Sequence, residues 1–166
     1  MSMIDNAISQ FEDNVQEMVQ IIDGLTQDQI DWKMIIPLGD DYWSVREIVA
    51  HVEEVNYFWP DKIKGLIADP TGRCDRTPAE LEDRLEAVAK AKDREWPELY
   101  ESFKKSVGNM CQALSDVTDE QFGIMLEPAP GYTAPLAFII NHVYPEHVEE
   151  HIKHIQRQLF AYSQYH

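Results

Sequence analysis

Positive charge is scarce in this chain. Only 14 Lys+Arg stand against 30 Asp+Glu in 166 residues, a formal charge of −16. The resulting pI near 4.6 argues against DNA, RNA or an anionic membrane as partner, because those polyanions need a positive field. Cysteine is nearly absent. Cys74 and Cys111 form neither a CxxC pair nor a disulfide framework, which points to a reducing, cytoplasmic setting. Long apolar runs are missing as well: the longest, Tyr132–Tyr144, already contains Asn141 and His142, too short and too polar to span a bilayer. The first residues, MSMIDNAISQFED, are acidic and amphipathic, unlike a secretory signal with its basic start and apolar centre. There is no P-loop, no Rossmann glycine pattern and no G-x-S-x-G, and neither cysteine has a histidine nearby in sequence. What remains, 44% apolar residues including 10% aromatics, is ample for a real core, and a single domain over residues 1–166 is the expectation.

The apolar residues that are present repeat at helical spacing. Ile4, Ile8, Phe11, Val15, Met18 and Ile22 step by four and three, one stripe of a long helix that Gly24 stops. Thr26 with Gln29 forms a capping box that opens a short turn. Residues 33–42 carry Pro37, Gly39 and two Asp and are expected as a loop. Ser44 with Glu47 starts a second long helix through Ile48, His51, Val55 and Phe58 toward Gly65. Thr77-Pro78 with Glu80 starts a short helix in a stretch of charge and alanine from Glu80 to Glu95, expected as a solvated excursion. Leu99, Phe103, Val107, Met110, Leu114 and Val117 mark a third long helix. After a Pro-rich loop at residues 127–131, Thr133 and Pro135 open a fourth, running to about Tyr162 with a kink or break at Pro145. No run alternates long enough to predict a strand. The pattern is an all-α four-helix bundle, with a charged excursion containing a short helix between its second and third helices.

Four of the six histidines, His142, His147, His151 and His154, crowd into thirteen residues. At about 100° per residue, His151 lies about 40° to one side of His147 and His154 about 20° to the other. The apolar set Val148, Ile152, Ile155 and Leu159 centres about 100° from His147 on the same wheel. His151 is therefore the most core-directed, His147 borders the core, and His154 is expected to face solvent. An i, i+4 histidine pair can offer both rings to one metal ion. His51 shares its stripe with Ile48, Val55 and Phe58, points into the bundle, and is the candidate third ligand. A core histidine bonded to a carbonyl, or a solvated pair beside Glu146, Glu149, Glu150 and Lys153, would satisfy the same spacing.

Two stretches then resemble a known family, the DinB/YfiT-like superfamily of metal-binding four-helix bundles. Trp43-Ser44-Val45-Arg46-Glu47-Ile48-Val49-Ala50-His51 is similar to that family's W-S-x-x-E-I-hydrophobic-x-H. Residues 144–155, with His147 and His151, are similar to its H-D-x-x-H-L-x-Q-I. The resemblance implies His51, His147 and His151 as a triad holding a divalent metal, with zinc or nickel the leading candidates. Two positions depart from the pattern: Val148 stands where Asp is usual, and His154 where Gln is usual. Loss of the carboxylate removes an outer partner for a ligand. His154 is then an extra ligand, an accessory proton carrier or a solvated substitute, and its wheel position favours the last.

Three neutral ligands leave positions open for water or substrate. The resemblance implies a metal-dependent enzyme that activates a water or a low-molecular-weight thiol, with S-transfer to a small electrophile as the first expectation and metal-dependent hydrolysis as another. A non-catalytic small-molecule-binding domain, with metal absent or incidental, is the contrasting expectation. A thiol cosubstrate carries carboxylates and needs a cationic cradle, for which Arg46, Lys62, Lys153 and Arg157 are nearest in sequence. The partner expected is a small molecule, with no nucleic acid and no membrane. Trp59, Trp96 and the tail residues Phe160, Tyr162 and Tyr165 would suit a homodimer interface, with ordinary core packing preferred for the two tryptophans.

Overall fold

The computed structural model of the chain describes residues 2–34, 43–129 and 131–166. Four long helices carry the architecture: α1 (Met3–Asp23), α3 (Val45–Ala68), α5 (Trp96–Ser115) and α8 (His147–Tyr165). Short helices join them: α2 (Gln27–Asp31), α4 (Pro78–Ala89), α6 (Asp119–Phe122) and α7 (Leu136–Asn141). Each predicted capping box is present. Ser44 accepts from the Glu47 amide while Glu47 accepts from the Ser44 amide, fixing where α3 begins. Thr26 with Gln29 and Thr77 with Glu80 do the same for α2 and α4. The stripe of α1 is buried as Ile4, Ala7, Phe11, Val15, Met18 and Ile22. It packs against α5 and α8, and α3 packs against α5 and α8. Trp59 lies in the core and Trp96 is packed against it, whereas Phe160 and Tyr165 are exposed. The loop expected at residues 33–42 falls largely outside the described residues. Among the described residues no helix is long and apolar enough to cross a membrane.

The stretch before the last helix departs from expectation. Met125–Ala129 and Tyr132–Pro135 form a small antiparallel hairpin, β1 and β2, closed through Gly131 at a φ of 76°, in the left-handed region that glycine tolerates. Thr133 is a strand residue, and helix begins only at Leu136. The hairpin is illegible in the sequence because its register shifts between Leu126 and Ala129, breaking the period of two. The interruption at Pro145 is real and has a defined form: residues 142–146 make a π-turn between α7 and α8.

The charged excursion is more than a solvated appendage. Adjacent carboxylates of α3 grip it at two points. Glu54 takes both terminal nitrogens of Arg76, at 2.7 and 2.9 Å, and Glu53, itself buried, takes Arg94. Arg76 also lies over the Phe58 ring at 3.8 Å. These bidentate pairs hold α4 against α3 and so fix one wall of the cleft described below. The Glu54→Ala chain is expected to lose about 2 kcal/mol of unfolding free energy, since it strands a nearly buried guanidinium. Its loop at residues 69–77 should also be cut faster by protease. A denaturation midpoint equal to that of the unaltered chain would contradict this role.

Candidate metal centre

His51 stands two turns into α3, among Ile48, Val52 and Val55 on the buried face, and is 3% exposed. His147 is the first residue of α8 and His151 follows one turn later. The packing of α3 against α8 brings these rings together across the bundle. His147 Nε2 lies 3.0 Å from His51 Nε2 and 3.0 Å from His151 Nε2, and one ligand atom from each ring falls within 4.8 Å of the others. The rings meet edge to face, with centroids 4.4 to 5.1 Å apart, and Trp43 packs on His51 in the same way.

The donor set fits a cation. Nitrogens bound to one tetrahedral zinc at about 2.0–2.1 Å stand about 3.3 Å from one another. A neutral imidazole has one donor and one acceptor nitrogen. Two close contacts at a single His147 nitrogen therefore satisfy at most one hydrogen bond, while a positive ion satisfies all three lone pairs. The remaining nitrogens, Nδ1 of His51, His147 and His151, are buried with no hydrogen-bond partner among the described residues. Metal-bound histidines usually donate that nitrogen to a carboxylate. Val148, in the place of the usual Asp, is buried and apolar and supplies none.

Burial holds all three rings neutral. Desolvation pushes His51 and His151 well below the usual histidine range, and the neighbouring rings and Arg84 add to the effect. His147 is lowered to about 4, chiefly by burial and then by Arg84, His142 and Arg76. Neutral imidazoles are the form that binds metal.

The triad forms the floor of a cleft of about 630 Å³. Val55 and Trp59 of α3 supply an apolar side, and Phe138 and Ile139 of α7 another. Arg76, Arg84 and Cys74 reach in from the excursion. None of the basic residues singled out in sequence lines it. Arg46 binds Asp31 and the Arg94 carbonyl, Lys62 stands 3.9 Å from Glu80, and Lys153 pairs with Glu149 on the surface. The guanidinium groups of the wall come from Arg84, which lies in the Glu80–Glu95 stretch expected to be solvated, and from Arg76 just ahead of it; their sequence signal was the capped helix start at Thr77.

His154 does not face solvent. It is 4% exposed, with its ring beside that of His151 at 6.0 Å. The wheel placed solvent there because it weighed only the apolar arc of α8. The helix also presses His151, His154 and Gln158 inward, so its buried arc spans about 160°. His142, omitted from the helical face in sequence, does line the cleft.

The pattern of the DinB superfamily matches residues 10–155 of this chain. Among solved structures, YfiT from Bacillus subtilis is similar, with a TM-score of 0.72 at 20% identity over 96% of this chain and 87% of that one. It is described as a probable metal-dependent hydrolase with an unusual four-helix bundle topology. No curated protein matches the sequence significantly.

The lowered histidines give the metal-free chain a pH signature. Above 6.5 the rings are neutral whether folded or not; below it the unfolded chain takes protons that folded His147 refuses until about pH 4. Stability present above 6.5 is therefore lost across that window. Thermal unfolding in chelator should fall more steeply with acid for the native sequence than for His147→Asn. Parallel curves would contradict it.

Proposed function

The chain belongs to the DinB superfamily, and on that footing we propose a divalent-metal-dependent enzyme whose ion is held by His51, His147 and His151. The observation that carries this reading is the convergence of three imidazole nitrogens, from buried His51 and His151 and half-buried His147, on the floor of a cleft large enough for a small molecule. Imidazole ligands suit zinc and nickel. A bound ion would lower the pKa of a coordinated water or thiol toward neutrality and so favour the nucleophile.

The chain's own residues then divide the remaining work. Trp59 and Val55 on one side and Phe138 and Ile139 on another line the cleft with apolar surface. Arg84 and the Glu54-bound Arg76 bring guanidinium groups into the cleft beside the triad, together with the carboxylates Asp75 and Glu150. Those guanidinium groups support S-transfer from a low-molecular-weight thiol to a small electrophile, because such thiols carry carboxylates. Hydrolysis is the second reading, supported by the description of YfiT as a probable metal-dependent hydrolase.

Elemental analysis of the full chain, purified without a metal column, is expected to find one equivalent of zinc or nickel. His51→Ala and His147→Ala should lose it while keeping the helical circular dichroism, and should lose turnover of thiol–electrophile pairs and of simple esters alike. Metal retained in both variants would overturn the assignment. With metal confirmed, the pair of assays separates transfer from hydrolysis.

A further inference from the structure

An unbroken helix from α7 into α8 would set His142 about 140° round the axis from His147, five residues later. The π-turn at residues 142–146 changes that phase, because its i→i+5 bonding brings residues five apart onto one side. Pro145 accounts for the turn: it has no N–H to give, and its ring clashes with the carbonyl four residues back. Its own carbonyl accepts from Asn14 Nδ2 of α1 at 2.8 Å, which ties the turn to the bundle. His142 consequently lines the same cleft as the triad while its side chain stays 64% exposed. Its ring lies within 8° of parallel to Phe138, and its Nδ1 stands 3.4 Å from Glu146 Oε2. Donation from Nδ1–H to that carboxylate leaves Nε2 as a free acceptor.

Resting on the metal reading above, we propose that His142 is the proton carrier of this site and that Glu146 orients it. Neutral Nε2 takes the proton from the water or thiol nucleophile as that group bonds to the substrate. The imidazolium then returns the same proton to the leaving group, so no net proton, oxidant or reductant is required. The charged groups that share the cleft with His142 are Asp75 and Arg76 before α4, Arg84 of α4 and Glu150 of α8. Of these and its own neighbours, only Glu146 is bonded to the ring.

The test uses the zinc-loaded full chain, His142→Gln and Glu146→Gln, with 4-nitrophenyl acetate as the probe. Zinc content is expected to match in all three. Hydrolysis by His142→Gln should fall about 10²-fold, and its pH–rate profile should lose the acid limb of the native chain. Ring-nitrogen magnetic resonance, in metal-free and zinc-loaded chain alike, should find the proton on Nδ1 of His142, redistributed between the nitrogens in Glu146→Gln. A native rate no higher than that of His142→Gln, or zinc lost from that variant, overturns the carrier; an unchanged tautomer in Glu146→Gln overturns its orientation. Zinc absent from the native chain fails the metal reading itself, and is seen before any rate is measured.

Discussion

Buried lone pairs that face one another need a positive charge between them, and this constraint organises the structure. His51 and His151 each bring an Nε2 to within 3.0 Å of His147 Nε2, in a setting where burial keeps the rings neutral. An ordinary core would fill this position with aliphatic side chains and lose no hydrogen bonds. The sequence instead places polar rings where α3 meets α8 and surrounds them with well-packed apolar layers, Ile48, Val52, Val148 and Ile152 among them. The stability of that surround is what holds the rings in register.

Two further features make sense as supports for the same spot. The consecutive carboxylates Glu53 and Glu54 clamp Arg94 and Arg76, so a segment with only Val88 and Ala91 buried in its helical parts is still fixed against the bundle. Fixing it turns a charged excursion into a cleft wall. The π-turn at Pro145 shifts the helical phase by which α7 and α8 present their side chains, and Asn14 absorbs its carbonyl. Each feature costs some regular helix geometry or ordering entropy.

Legibility in the sequence followed the range of the interactions. The helix starts at Thr26, Ser44 and Thr77 were readable because a capping box is closed within four residues. The direction of His51 was readable because its neighbours Ile48 and Val55 repeat at helical period within one element. The burial of His154 was not, since it depends on how α8 is seated, which no single-helix wheel contains. The placement of Arg76 and Arg84 depended on ion pairs across 22 and 41 residues, Arg76 with Glu54 and Arg94 with Glu53. The hairpin at residues 125–135 was hidden by its own bulge, and His142 by a turn whose phase differs from that of an α-helix.

The most direct measurement of the central claim is X-ray absorption at the edge of whatever metal the purified full chain retains. The nearest shell is expected to contain three imidazole nitrogens at about 2.0–2.1 Å, completed by water or substrate oxygen, with no sulfur from the protein. A shell built on thiolate, as Cys74 or Cys111 would supply, or one with fewer than three imidazoles, would contradict it.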